Sequence, residues 1–519
     1  MYRFNVGEAY KFCDSILFEP ADLSIDSSKL FHLDEFNLTN DSYTLSFSQV
    51  RNNNYIAGIL DLSKTYGKDN KKLLYLCKPD DKRIPTFLIT YSKPPTFYKS
   101  SKYLYVTFKF KHWECEHPTG TITNTIGPVE ELNNLYEYML FCKSLNHPIQ
   151  PFTKKTIGEL KIHNDVIDEI CKLHNIPTRT GHIFTIDSTK SVDYDDAISI
   201  KDNVISVYIS NVSIILDHLG LWDAFSKRIS TIYLPDKKRS MLPNVLTECV
   251  CSLKQNTFRI CLVMDIVYEN HSVISAKFSL CNAKISRNYS FDDDKIIKHP
   301  DFINMKRICN VKSTYELISK LMTDYNKQSA IILKSHCVGI YKNISYAYKP
   351  PQNVTDHIEK FKQSASRYEL FNEQSHYSQT TSPIRRLVDL LNMYLICKNE
   401  KLYSFSNNAD SFYTTWINQL DYINMTTRYI RKLQSKCKLI SIFEKEQHQI
   451  FSGFVFDKIK RHDNKFHYNV YLPVLNIFSS FSYIEDLEDY TEQPFKLFMF
   501  KDEALLTKKL KLMIYKIDT

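Results

Sequence analysis

Glycine is scarce, with only ten residues in a chain of 519. Loops that cradle nucleotide phosphates need closely spaced glycines, because a backbone without Cβ atoms can approach the anion most nearly. Nothing matches G-x-x-x-x-G-K-[ST] or G-x-G-x-x-G. A nucleotide-driven motor or a dinucleotide enzyme is therefore not expected. Paired metal-binding cysteines are missing too: thirteen cysteines are scattered from Cys13 to Cys437 without a C-x-x-C pair, the nearest approach being Cys249-Val250-Cys251. His112, Cys115 and His117 lack a convincing fourth ligand for zinc and read as a barrel loop. Reduced, buried thiols are expected, which fits a cytoplasmic or nuclear compartment. Long apolar runs are absent as well. Met1 to Pro20 holds no apolar stretch ending in a small-residue cleavage site, and the run Ile260–Val267 is broken by Asp265. Neither a secretory leader nor membrane association is expected.

What is present suits a folded chain of several domains, roughly three or four for this length. Hydrophobic residues make up 43% and charged residues 24%, ordinary for globular proteins. The net charge of +9, with 34 Tyr and 32 Phe, is compatible with a polyanionic partner whose bases stack on aromatic rings, but composition alone carries little weight.

Short β-branched and aromatic runs at Tyr55–Leu60, Leu73–Cys77, Thr86–Tyr91 and Tyr103–Phe110 predict small antiparallel barrels. Val166, Ile167, Ile170, Cys171 and Leu173 recur at helical spacing. Alternation returns at Ile450–Ile459, Phe466–Leu472 and Leu475–Tyr483, which predicts a closing barrel of OB type.

The most informative stretch is HIFTIDSTKSVDYDDAISI, His182–Ile200, where two strand-like runs flank Asp187, Asp193, Asp195 and Asp196. Four carboxylates in ten residues repel one another unless a cation neutralises them, and hard divalent ions prefer carboxylate oxygens. Mg²⁺ is the natural candidate, with Mn²⁺ as a substitute. Two such ions can activate water and stabilise the leaving oxygen of a phosphodiester. A solvated acidic loop is the bland alternative.

A second constellation is YSQTTSPIRRLVDLLNMYLI, Tyr377–Ile396. Ser382 and Pro383 read as an N-cap and first-turn proline, with Leu387, Val388, Leu390, Leu391, Tyr394 and Leu395 on an apolar face. Arg385 and Arg386 then fall in the first turn, where cations oppose the helix dipole but strengthen an anion site. The alternative is an Arg385–Asp389 pair one turn apart.

Together these segments resemble the catalytic domain of the ribonuclease II (RNB) family, in which TID…D-x-D-D-A precedes T-S-P-I-R-R. The likeness continues through Ile232-Tyr233-Leu234-Pro235-Asp236, Met241-Leu242-Pro243 and Cys251-Ser252-Leu253. Ahead of them, Asp81-Lys82-Arg83-Ile84-Pro85 and Trp113 to Gly127 resemble the paired cold-shock barrels of the exosome-type branch, and a PIN-type nuclease domain is not expected.

The resemblance implies an α+β protein with an RNB catalytic domain flanked by OB-type barrels. The expected domains are an N-terminal segment with the first cold-shock-like barrel (1–92), a second such barrel (93–150), the catalytic domain (151–447) and an OB-type RNA-binding barrel (448–519). The implied activity is magnesium-dependent 3′-to-5′ hydrolysis of single-stranded RNA by a two-metal-ion mechanism, releasing nucleoside 5′-monophosphates. Asp187, Asp193, Asp195 and Asp196 would form the metal site, with Asp195 and Arg385 catalytic. Tyr233, Tyr289, Arg385 and Arg386 would contact RNA.

Departures from the family pattern keep a second reading open, a weakened or dead RNB-type protein that binds RNA or a protein partner. Only 33 positions separate Tyr289 from Met322, so an aromatic clamp is expected to be missing and Asn304–Asn326 to survive as one helix. The segment between Gly339 and Thr381 is short, and Ser435 falls where a supporting glutamate aligns.

Overall fold

The computed structural model describes residues 2–5, 8–13, 16–20, 29–39, 42–92, 101–163, 165–189, 191–344, 366–445, 449–461, 464–502 and 507–514. Most of the short segment between Gly339 and Thr381 lies outside them. The chain divides into two compact units, one formed by 1–146, 435–452 and 493–519, the other by 147–434 and 453–492.

In the first unit, Tyr2–Asn5, Glu8–Cys13, Ile16–Pro20, Glu35–Thr39 and Ser42–Phe47 form a five-stranded antiparallel sheet, with Phe4, Leu30 and Phe36 clustered in its core. A second sheet of six strands runs from Ile56–Asp61 to Thr119–Pro128, and pairing of Ile56–Asp61 with Lys72–Pro79 closes it into a barrel. Along Lys72–Pro79, Tyr75 and Cys77 are buried while their neighbours are not, the period-two alternation of a strand with one face on a core. Gly58 is needed there: a Cβ would lie 2.9 Å from Cys77 Sγ, the Lys78 carbonyl and the Phe108 ring.

The expected barrel strands all form, but the expected boundary between 92 and 93 does not separate two barrels. Phe87–Thr90 and Tyr103–His112 are strands of the same sheet, so one barrel spans residues 56–128 and the other sheet lies wholly before it. Pro94 and Pro95 look like punctuation in the sequence; strand pairing across them could not be read locally.

The second unit is built on a seven-stranded sheet in the order Thr178–Arg179, Ser272–Lys284, Phe258–Glu269, Val204–Ser210, Asp196–Lys201, Phe184–Asp187 and Arg287–Ser290. Its long middle strands are apolar: Ile260, Cys261, Leu262, Val263 and Met264 are wholly buried, which is the pattern of a sheet covered on both faces. The helix Leu387–Asn399 is buried nearly all round, from Leu387 to Cys397, and so acts as a central post rather than an amphipathic surface helix.

The expected helix over Asn304–Asn326 is two helices, Pro300–Cys309 and Thr314–Ser335. Asn310 ends the first in the left-handed region (φ 51°). The second starts at Ser313, whose hydroxyl accepts the Glu316 N–H, while the Glu316 carboxylate accepts the Lys312 N–H at 2.8 Å. That capping sequence was legible, and apolar periodicity continuing across it masked the break. Toward the C-terminus, Ile450–Lys460, Phe466–Leu472 and Ile477–Tyr483 pair as an antiparallel meander, and Glu492–Asp502 pairs with Thr507–Ile514. Among the described residues no helix is long and apolar enough to cross a membrane.

Candidate active site

Phe184–Asp187 and Asp196–Lys201 are antiparallel neighbours, with Phe184 opposite Ile198. Asp187 therefore ends one strand, Asp196 begins the next, and Asp193 and Asp195 lie on the connection between them. That connection is held at several points. The Tyr194 N–H donates to Ser252 Oγ at 3.0 Å, the Tyr194 carbonyl accepts the Leu253 N–H at 3.0 Å, and the Asp195 carbonyl accepts the Ser210 N–H at 2.9 Å. Arg259 Nε in turn donates to the Ser252 carbonyl at 2.9 Å. The Cys251-Ser252-Leu253 segment thus acts as a clamp on the aspartate loop.

Arg385 turns to this loop and not to its own helix. Its Nε donates to Asp195 Oδ2 at 2.9 Å, its Nη2 to Ser382 Oγ at 2.9 Å, and the Ile384 N–H donates to Asp195 Oδ1 at 3.0 Å. The expected Ser382 cap and Pro383 first turn are not found. Ser382–Arg385 make a separate turn, with Ser382 accepting from the Arg386 N–H at 3.0 Å; Arg386 is extended, pairs with Ser230, and caps a helix that starts at Leu387. The alternative Arg385–Asp389 pair is absent as well. Asp389, wholly buried, takes Arg386 Nη2 at 2.7 Å and the Ser382 N–H at 2.8 Å. One arginine braces the turn and its neighbour faces the aspartates.

The four carboxylates fall into two kinds. Asp193 is paired with Lys238 Nζ at 2.6 Å and Asp195 with Arg385. Asp187 and Asp196 have no ion pair among the described residues, and Asp187 Oδ2 is buried without a hydrogen-bond partner. Burial, reinforced by Asp195, pushes the Asp187 carboxyl up to about 7. Burial, then Asp187 and Asp195, pushes Asp196 well above the usual carboxylate range, and burial raises Asp195 against the pull of Arg385. No three of the four carboxylates bring oxygens within 4.8 Å of one another, and two of them are engaged by Lys238 and Arg385. An orphaned buried oxygen among carboxylates that resist ionisation fits a hard divalent cation, which would be held first by Asp187 and Asp196.

A pH dependence follows. Asp187 is mostly protonated at pH 6, so a cation must displace that proton. Asp196 is raised too, so the apparent dissociation constant for Mg²⁺ should rise by at least about tenfold per pH unit as pH falls below 7. Calorimetric titration at pH 6, 7 and 8, in buffers of different ionisation enthalpy, measures both the affinity and the released proton. Without metal, the stability that Asp187 contributes is full below pH 3.8 and lost as pH rises through about 7.

Beside Arg385 lies a pocket of about 220 Å³ whose lining includes Tyr233, Lys342, Arg385, Arg386, Arg431 and Gln434. Tyr233 stands on the hairpin of Ile232–Tyr233 with Lys238–Arg239, which also delivers Lys238 to Asp193. Its backbone N–H donates to Gln434 Oε1 at 3.1 Å, and 46% of the residue is exposed. Tyr289 is placed differently. It is 7% exposed, packed edge-on against Phe184 and overlain by Arg287, so only Tyr233 offers open ring area in this conformation. Lys342 is half-buried beside Arg431 and Arg386, and desolvation, then those arginines, pushes its amine down to about 7.

Lys238, Lys342, Arg431 and Gln434 were missed in the sequence. Lys238 could have been found from its place two residues after the Tyr233-Leu234-Pro235-Asp236 segment. The others carried no local signal. Ser435, suspected of replacing a supporting glutamate, is adjacent to the residue that reaches Tyr233 and is not itself part of the pocket lining.

Residues 176–321 match the RNB domain family and residues 74–141 match the Dis3-like cold-shock domain 2 (CSD2). The chain is similar to the human exosome complex exonuclease RRP44, 28% identical over 240 residues, which is 44% of this chain and 24% of that protein. The matched segments span about a quarter of the length of the curated relatives. In fold it is similar to Mycoplasma genitalium RNase R in complex with ribose-methylated single-stranded RNA, with a TM-score of 0.65, 15% identity and coverage of 94% and 95% of the two chains. It is also similar to yeast Ssd1, a pseudonuclease, with a TM-score of 0.51, 13% identity and coverage of 90% and 70%.

Proposed function

We propose that the chain, whose residues 176–321 match the RNB domain family, hydrolyses single-stranded RNA from the 3′ end, releasing nucleoside 5′-monophosphates by a two-metal-ion mechanism. The observation that carries this reading is the meeting of Arg385 with Asp195 beside the unpartnered Asp187 oxygen. Asp187, Asp195 and Asp196 are all raised by burial, and Asp187 and Asp196 also by their neighbouring aspartates, the condition that a bound cation relieves.

Bound divalent ions would supply a nucleophilic water and a counter-charge for the leaving oxygen. The chain's own residues do the rest. Arg385, anchored by Asp195 and Ser382 but 41% exposed along its side chain, presents positive charge where phosphate oxygens gain charge. Lys342, Arg386 and Arg431 make the neighbouring pocket electropositive, with Arg386 also committed to Asp389. Phosphate in that pocket would restore the Lys342 proton. Tyr233 supplies a face for a base near the RNA end.

The test uses 5′-labelled single-stranded RNA with and without Mg²⁺ or Mn²⁺. Stepwise shortening that needs the metal and stops with chelator supports the assignment. Tight RNA binding without any product would establish the binding-only alternative, for which the fold shared with yeast Ssd1 is a precedent.

Stacking of one base on an aromatic side chain contributes about 1–3 kcal/mol, so Tyr233→Ala should speed RNA release roughly tenfold to a hundredfold. Chemistry within the bound complex should change little. A time course with unlabelled trap RNA added after mixing would then show a ladder of intermediates in place of short end products. An unchanged ladder would remove Tyr233 from the RNA path.

A further inference from the structure

Metal-binding side chains also gather away from the aspartate loop. His163, Glu169 and His218 bring Nδ1, Oε2 and Nε2 within 4.8 Å of one another. All three are carried by ordered helix ends. His163 closes the helix Gln150–Ile162, donating its backbone N–H to Glu159; Glu169 sits in the first turn of Val166–His174, which Asp165 caps; His218 is the last residue of Val212–His218.

Both imidazoles address the same oxygen. His163 Nδ1 lies 2.5 Å and His218 Nε2 3.3 Å from Glu169 Oε2. A hydrogen bond orienting one histidine would need only one of them. Two donors each about 2.0–2.1 Å from a tetrahedral ion lie about 3.3 Å apart, which the His218 spacing already matches, while His163 needs to retreat by less than about 1 Å. The ring centroids are 5.1 Å apart with planes inclined at 57°, so lone pairs lying in those planes can converge.

A second group, His182, His299 and Asp301, meets the same proximity criterion but fails this one. Its rings stack at 3.9 Å and 28°, which directs their lone pairs along nearly parallel planes, and His299 Nδ1 already accepts the Asp301 N–H. Donor chemistry also separates the His163 group from the aspartate loop: two imidazoles and one carboxylate suit zinc-class ions, whereas an all-oxygen set suits magnesium. The three side chains are 26%, 38% and 12% exposed, so the place is covered but reachable from solvent.

We propose that His163, Glu169 and His218 form a second metal site, a three-ligand centre for a zinc-class dication with water in the fourth position. The ion would join the helices that precede the aspartate strand to the helix that follows Val204–Ser210, and so brace their packing independently of RNA chemistry.

The experiment titrates Co²⁺ into the metal-stripped full chain in excess Mg²⁺, which occupies the oxygen site. One equivalent should bind with the visible absorption of tetrahedral Co²⁺, should be displaced by Zn²⁺, and Zn²⁺ should raise the thermal midpoint. His218→Ala and Glu169→Gln should weaken binding by more than the roughly 10–100-fold that loss of an outer-shell partner costs. His182→Ala should bind as the parent does. His163→Gln replaces either site variant that fails to fold. Absence of the visible band in the parent chain, or its survival in His218→Ala, would overturn the proposal and leave two histidines hydrogen-bonded to a glutamate.

Discussion

Asp195→Asn is expected to remove hydrolysis of single-stranded RNA while the variant still folds and binds RNA. Asp195 is 4% exposed, and its two oxygens accept from the Ile384 N–H and from Arg385 Nε. Asparagine has one acceptor oxygen and one NH₂. If the oxygen keeps Ile384, the NH₂ confronts the guanidinium and Arg385 must swing away; the flipped amide instead confronts the Ile384 N–H. The substitution thus removes a negative charge from the metal site and disturbs the arginine in one step. The loss should exceed the roughly 10²–10³-fold typical of a single electrostatic contact. Burial already disfavours the Asp195 charge, so a neutral isostere should leave the metal-free thermal midpoint within a few degrees of the parent. Single-turnover cleavage and filter binding at matched protein concentrations give the two readouts. Cleavage at the parental rate would exclude the aspartate loop as the reaction centre.

Arg385→Ala and Arg386→Ala should differ in kind despite being neighbours. Arg385 has 41% of its side chain exposed and faces Asp195, so its loss should slow the chemical step about 10²–10³-fold; burial already disfavours the Asp195 charge, so the carboxyl left behind takes up a proton and the cost in stability is limited. Arg386 is paired with Asp389, a carboxylate with no exposed surface. Removing one partner of a buried pair leaves the other uncompensated and costs about 3–5 kcal/mol. Arg386→Ala should therefore show first as a lower thermal midpoint, and chemical denaturation beside single-turnover kinetics would separate the two effects. Equal losses of rate and stability in both variants would return both arginines to a structural role.

The departures from expectation share a cause. Arg385 and Arg386 both fall near the start of an apolar helical pattern, and spacing alone left an anion site and an Arg385–Asp389 pair equally open. The choice was made by contacts more than 150 residues away in sequence: Asp195 holds Arg385, an isolated bridge to Ser230 holds Arg386 extended, and the helix begins at Leu387. Tyr233 and Tyr289 were likewise equal in the sequence, each beside a family motif. Only packing on Phe184 and beneath Arg287 buries one, while the hairpin at 232–239 leaves the other open. Barrel strands were legible because alternation reports directly on which face is buried. Barrel boundaries were not, because they depend on which strands pair.

The sequence by itself determined the chemistry available here: four carboxylates within ten residues, the ordered motifs that connect them to Arg385, and the absence of nucleotide-binding glycine loops. These are properties of residue identity and short spacing, and local chain geometry transmits them without help. Tertiary structure alone decided how that chemistry is divided. It gave Asp193 to Lys238 and Asp195 to Arg385, and left the Asp187 oxygen unpartnered for a cation. It also set Lys342 and Arg431 beside Arg385, and brought His163 and His218 to one glutamate. Ion-pair partners and buried charge are set by distance and by exclusion of water, and neither exists until the strands and helices have packed.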